Sequence, residues 1–282
     1  MRGCEAGARD GHCRGAGRKT FAREAFRLIR SKDNPQVKRW AKLAKESSLR
    51  RAEGRALVEG PHLLEALLLA GLGTKAILVS EDALSNPEIS ALLRKAGGEP
   101  AVLSPAAFRA IADAETPQGI AAEIEIPKPR LVKGDCVFLE GIQDPGNVGA
   151  ILRSAAALGL ASAVLDRACA DPWSPKVLRA AMGGHFRLSV QQVPALDAGV
   201  EAYAGKLVCT VVRDGQPLRK ADLSGPIGWI FGSEGAGVSA ELAARAAVRV
   251  TIPMAAGAES LNVAAAAAVC FYEKASRPGG RS

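Results

Sequence analysis

Three glycine-rich loops hold most of the side chains in this 282-residue chain that could do chemistry. The first, Glu140-Gly141-Ile142-Gln143-Asp144-Pro145-Gly146-Asn147-Val148-Gly149, ends an apolar run and opens a helical one that carries Arg153. Asn147 reads as the N-cap of that helix, and Arg153, six residues on, falls too far round to share its face. The second, Phe231-Gly232-Ser233-Glu234-Gly235-Ala236-Gly237, follows an apolar strand-like run. Its glycines allow the backbone to approach a ligand closely, and Glu234 stands among them to receive donors. The third, Ile252-Pro253-Met254-Ala255-Ala256-Gly257-Ala258-Glu259-Ser260-Leu261-Asn262-Val263, leads into an alanine-rich helix. Ser260 and Asn262 could cap that helix, with Glu259 suited to its positive end. Taken singly, each loop is also what an ordinary capped helix requires.

Other chemistry finds little support. The spacing Gly235-x-Gly237-x-x-Ala240 matches a loose dinucleotide fingerprint, but that motif belongs at the first strand of its fold, and too little chain follows Ala240. The six cysteines contain no C-x-x-C pair and no metal-ligand spacing, so buried thiols are expected, with neither disulfides nor zinc. Of the three histidines, His12 is in the basic N-terminal tail, His62 opens a helix and His185 has no supporting partner.

The elements that must position the loops alternate as in an α/β protein. A helix over 34–53 carries an apolar stripe (Val37, Trp40, Ala41, Ala44) and a basic face of Lys38, Arg39, Lys42, Lys45, Arg50 and Arg51. That face is either solvated or a phosphate contact surface. Short strands at 56–59, 75–80, 101–104 and 119–126 then alternate with helices at 61–70, 86–96 and 105–113. A Pro/Lys-rich break at 127–134 reads as a linker. Beyond it, apolar strands at 136–142, 162–166, 187–193, 206–212, 227–231 and 248–253 alternate with helices, the last from 259 to about 275. Strands without polar alternation belong to a parallel sheet covered on both faces, and ligands sit beyond its carboxyl ends. The expected domains are 31–126 and 135–282.

An apolar fraction of 48% with 23% charged residues excludes wholesale disorder. No run approaches the roughly 18 apolar residues of a membrane span, so a cytoplasmic protein is expected. The net charge of +8 suits a polyanionic partner. Residues 1–30 hold eight basic residues against three acidic ones and read as a basic, disordered tail.

Together and in order, Asn147-x-Gly149-Ala150-Ile151-x-Arg153-Ser154, Phe231-Gly232-Ser233-Glu234-Gly235-x-Gly237 and Ile252-Pro253-Met254 with Glu259-Ser260-Leu261-Asn262-Val263 strongly resemble the SpoU/TrmH family of RNA ribose 2′-O-methyltransferases, within the SPOUT superfamily. Upstream, Asn34-Pro35-x-Val37-Lys38, Val58-Glu59-Gly60 and Thr116-Pro117-Gln118-Gly119 resemble the small, ribosomal-protein-like substrate-binding domain of many members.

The resemblance implies a trefoil-knotted catalytic domain and a homodimer acting on RNA, with large-subunit rRNA ahead of tRNA. It implies S-adenosylmethionine held by backbone around Gly232, Ile252 and Leu261. It also implies a catalytic polar set of Asn147, Arg153, Glu234, Ser260 and Asn262, with no metal. Arg153 is the family's candidate for general base; since a guanidinium keeps its proton in a protein, stabilising alkoxide charge and binding the adjacent phosphate suit it better. His185 stands where the family more often has an apolar residue and is given no catalytic role. A non-catalytic RNA-binding scaffold would carry damaged motifs, and a nicotinamide oxidoreductase would bind NAD(P) instead of S-adenosylmethionine.

Overall fold

The computed structural model describes residues 28–257 and 259–277, so the basic tail expected at 1–30 lies almost wholly outside them. The first unit runs α1 (Pro35–Lys45), α2 (Ser47–Glu53), β1 (Arg55–Glu59), α3 (Pro61–Leu69), β2 (Ala76–Ser80), α4 (Pro87–Ala96), β3 (Ala101–Leu103), α5 (Pro105–Ile111) and β4 (Ile120–Glu125). Its helices start where the chain supplies caps: Asn34, Asn86 and Ser104 each precede a proline and accept a backbone N–H of the first turn. The sheet has the order β1-β4-β2-β3, with β4 antiparallel to both neighbours and β2 parallel to β3.

The single helix expected over 34–53 is two helices. Glu46 is extended (φ −105°, ψ 110°), which ends α1 and lets Arg50 of α2 turn back. Arg50 Nη1 donates to the Leu43 and Ala44 carbonyls (2.5 and 3.0 Å), which lie at the end of α1 where intrahelical donors run out. Arg50 therefore leaves the basic face and is 3% exposed. Arg39 pairs with Glu123 and Glu53, and Lys38, Lys42, Lys45 and Arg51 remain exposed.

The second unit is β5 (Cys136–Leu139), α6 (Pro145–Ala157), β6 (Ser162–Leu165), α7 (Pro175–Ala181), β7 (Ser189–Gln192), α8 (Asp197–Glu201), β8 (Lys206–Thr210), β9 (Gln216–Pro217), β10 (Ile227–Phe231), α9 (Ala240–Arg245), β11 (Val248–Thr251) and α10 (Val263–Ser276). The sheet order is β7-β6-β5-β10-β8-β11-β9, and every pair is parallel. Because β5, β10 and β11 run the same way within four neighbouring strands, the three glycine-rich loops leave at one end of the sheet.

Two helix starts differ from the sequence reading. α6 begins at Pro145 with Asp144 as its cap, so Asn147 is not the N-cap. α10 begins at Val263 with Asn262 as its cap, four residues later than expected. From β11, the chain crosses back to pack α10 on α6. Phe271 of α10 sits edge-on to Trp229 and Phe231 of β10, at 6.3 and 5.8 Å between ring centres. The buried Lys274 donates to the Leu223 and Gly225 carbonyls (2.7 and 2.8 Å). Close packing continues at α6 and α7, where a Cβ on Gly149 would come within 2.4 Å of the Ala180 methyl.

His185, between α7 and β7, is fully buried beside Trp173. Its Nε2 lies 2.6 Å from the Pro172 carbonyl, and a carbonyl requires that nitrogen to donate. Nδ1 then has no partner among the described residues. Burial pushes the imidazole down to about 4, against the opposing pull of the Pro172 carbonyl and the Asp171 charge. The unfolded chain takes up this proton near pH 6.5 and the folded chain does not, so stability falls as pH drops from 6.5 towards 4. Unfolding titrations of wild type and His185→Leu at pH 7 and pH 5 should show wild type losing about 2 kcal/mol more than the variant over that interval. Equal losses would place the proton elsewhere.

Candidate active site

With Asp144 capping α6 by accepting the Asn147 backbone N–H (2.8 Å), the Asn147 side chain is released from capping. Its Nδ2 donates to Glu234 Oε1 at 2.5 Å, and its Oδ1 accepts from Asn262 Nδ2 at 2.9 Å. Asn262 in turn caps α10, its Oδ1 accepting from the Ala264 and Ala265 amides (2.9 and 3.3 Å). One chain of hydrogen bonds thus joins all three loops, from the start of α10 through the start of α6 to the loop after β10.

Two carboxylates that the sequence reading did not single out brace the same loops. Glu140 Oε2 accepts from the Ser239 amide at 2.7 Å, fixing the first loop to the start of α9. Asp166, at the end of β6, accepts from the Gly141 amide (3.1 Å to each oxygen) and from the Cys169 amide (2.9 Å). Their signal was available: an acid directly at the carboxyl end of an apolar strand, where amides of the following loop need acceptors.

The second loop folds back on itself through Gly237, whose N–H donates to the Ser233 carbonyl (2.9 Å) at φ +70°. A Cβ on Gly232 would lie 1.9 Å from the Gly237 carbonyl oxygen, so no side chain fits there. Around this turn lies a cavity of about 440 Å³. The backbone of 231–238, the ends of β8 and β11, and residues 260–263 line it. Gly232, Ile252, Leu261, Glu234, Ser260 and Asn262 all line it, and Asn147 reaches it through its bonds to Glu234 and Asn262. Thr210, Val211 and Val212, also in the wall, were not singled out in the sequence, although they end a strand beside β10.

Arg153 is not there. It is exposed on α6 and lines a second cleft of about 380 Å³, to which Ala66 and Leu69 of α3, the following Ala70, Met182, Phe186 and Arg187 also contribute. Six residues at 100° each turn its side chain well away from that of Asn147. Among the described residues, no group of three or more His, Cys, Asp or Glu side chains could hold a metal ion, and no helix is long and apolar enough to cross a membrane.

Residues 135–272 match the SpoU rRNA Methylase family, and residues 34–122 match the MRM3-like substrate binding domain. The 23S rRNA (guanosine(2553)-2′-O)-methyltransferase of Bacillus subtilis is 36% identical over 250 residues, covering 88% of this chain and 98% of that protein. This chain belongs to the SpoU rRNA methylase family. Its fold agrees: an S-adenosylmethionine-bound rRNA methyltransferase from Sinorhizobium meliloti superposes with a TM-score of 0.77 at 26% identity, over 88% of this chain and 97% of that one. The SpoU methyltransferase AviRb of Streptomyces viridochromogenes, also in complex with S-adenosylmethionine, gives 0.74 at 28% identity, over 85% and 97%.

The family's cofactor is S-adenosylmethionine, and the cavity suits it. Its volume is within the range of about 300–1,000 Å³ usual for cofactor pockets, its walls combine apolar side chains with loop backbone, and a bare glycine stands where a Cβ would collide. Gly232→Ala must open the 233–237 turn. Calorimetric titration should show S-adenosylmethionine affinity at least about tenfold weaker, with the far-ultraviolet circular dichroism of wild type retained. Unchanged affinity would mean that the cofactor is held elsewhere.

Proposed function

We propose that this protein methylates a ribose 2′-hydroxyl in large-subunit rRNA, and does so as a cytoplasmic homodimer in which Arg153 of one copy serves the cavity of the other. The observation that carries the reading is the Asn262–Asn147–Glu234 chain, which sets three polar side chains at the mouth of a cavity suited to S-adenosylmethionine. When bound, S-adenosylmethionine supplies a methyl group on a sulfonium that leaves readily.

What remains for the protein is alignment and charge. The backbone at Gly232, Ile252 and Leu261 holds the cofactor, and Asn147, Glu234, Ser260 and Asn262 orient the ribose by hydrogen bonds, fixing the hydroxyl oxygen opposite the methyl carbon. Negative charge grows on that oxygen as its proton departs. A guanidinium, permanently protonated and fork-shaped, is suited to stabilising this charge while binding the neighbouring phosphate. The position of Arg153 in a separate cleft supports delivery from a second copy. So does the apolar surface on and beside α10, where Leu261, Val269 and Tyr272 are 42%, 41% and 65% exposed. The domain at 31–126, joined by 127–134, takes the RNA with the exposed Lys38, Lys42, Lys45 and Arg51.

Mapping 2′-O-methyl groups in total RNA from cells with and without the gene tests the reaction. One large-subunit rRNA ribose should lose its methyl group, and loss from tRNA alone would overturn the rRNA assignment. Arg153→Ala should leave S-adenosylmethionine affinity within a few fold and lower turnover about 100-fold, with lysine rescuing only in part. Mixed with the Gly232→Ala protein, at an S-adenosylmethionine concentration too low to fill the weakened pocket, and allowed to exchange subunits, it should recover about a quarter of wild-type activity, since half the dimers then hold one complete site. No recovery would place Arg153 in its own chain's reaction.

A further inference from the structure

The two domains meet through charges that are mostly removed from water. Arg50 of α2 sends Nε to Asp171 Oδ2 in the catalytic domain at 2.7 Å, and Asp171 Oδ1 is held by the Trp173 amide at 2.9 Å. The second bridge runs the opposite way. Arg179 of α7 donates through Nη2 to Asp113 Oδ2 of the first domain at 2.6 Å, with Nη1 3.7 Å from Glu59 Oε2. Glu59 is itself buried, and Oε2 also accepts from the Asp113 and Ala114 amides (2.9 and 3.3 Å). The domains also come close at Gly183, where a Cβ would lie 2.7 Å from the Ala66 methyl of α3.

We infer that these two bridges form a clasp that locks the RNA-binding domain in one orientation on the catalytic domain, making Arg50, Asp171, Arg179, Asp113 and Glu59 positioning residues for the RNA. Each domain contributes one cation, and the first contributes two anionic partners to the one of the second. A rotation or slide that kept only the Arg179 bridge would leave Arg50 and Asp171, 3% and 13% exposed, unpaired out of water, which is strongly unfavourable; one that kept only the Arg50 bridge would leave the partly exposed Arg179 and Asp113 (35% and 24%) unpaired beside the buried Glu59. The cleft that the clasp holds open carries Arg153 and Arg187 on one wall and α3 on the other. RNA gripped by the first domain is thereby presented at a fixed distance from Arg153. The inference rests on the reading of residues 31–126 as the RNA-binding domain.

The test uses the full chain with Cys4→Ser and Cys13→Ser, the four cysteines of the described residues being buried. Spin labels go on Glu88→Cys and Glu201→Cys, both exposed, and labelled protein is diluted with unlabelled protein so that only distances within one chain are read. The unaltered clasp should give a narrow distance distribution. Arg179→Asp should broaden it and raise the KM for RNA about tenfold, with kcat within twofold and S-adenosylmethionine affinity unchanged. Adding Asp113→Arg should restore both the narrow distribution and the KM, a rescue that simple loss of stability would not give. Asp171→Asn, which spares the contacts of Arg50 to its own domain, tests the other bridge if Arg179→Asp fails to fold. A broad distribution in wild type, or an unchanged KM and distribution in Arg179→Asp, would overturn the clasp. An unchanged RNA KM in Lys42→Glu/Lys45→Glu would overturn the RNA-binding role of the first domain, while the distance measurement still decides the clasp.

Discussion

The Asn147 carboxamide is the constraint on which the site depends. Its nitrogen donates to Glu234 and its oxygen accepts from Asn262, so a single side chain uses both of its functional ends to join loops that are 87 and 115 residues away in sequence. An aspartate there would face Glu234 with like charge and lose the donor. An alanine would leave Glu234 and Asn262 without their shared partner. The arrangement is possible only because Asp144 takes over the capping of α6, which frees Asn147 from the task its residue type most often performs.

Topology makes this junction reachable. The order β5-β10-β8-β11 within a parallel sheet brings the carboxyl ends of the relevant strands together, and small residues let the helices behind them approach. Gly149 permits α6 to lie on α7, and the alanines at the start of α10 permit it to lie on α6. The crossing from β11 back to α6, anchored by Phe271 and Lys274, is also what holds Asn262 in place. Acids at strand ends complete the frame: Glu140 accepts from the Ser239 amide, and Asp166 from the Gly141 and Cys169 amides. The cavity and the fold core are therefore built from the same elements.

Much of this was legible in the sequence, and the failures have physical causes. Unalternating apolar strands announced the parallel sheet, and the three glycine-rich loops announced the residues that the Asn262–Asn147–Glu234 chain joins. The angle of Arg153 on its helix already separated it from Asn147. The start of α6 was misjudged although Asp144-Pro145 repeats the pattern that correctly placed α1 at Asn34-Pro35; a second cap-forming residue three positions on obscured it. The fate of Arg50 could not be read locally, because its burial depends on Asp171, 121 residues away, and on carbonyls freed by a break at Glu46. β9 is two residues long and contains a proline, so it has no period to detect.

The most direct test of the account is a double-mutant cycle on S-adenosylmethionine affinity between Asn147→Ala and Asn262→Ala, read by calorimetric titration. If the three loops form one pocket through this junction, the two substitutions are strongly non-additive. The double variant should bind little more weakly than either single variant, with a coupling of about 1 kcal/mol or more. Losses that simply add would contradict the account, because each loop would then hold its part of the cavity without the others.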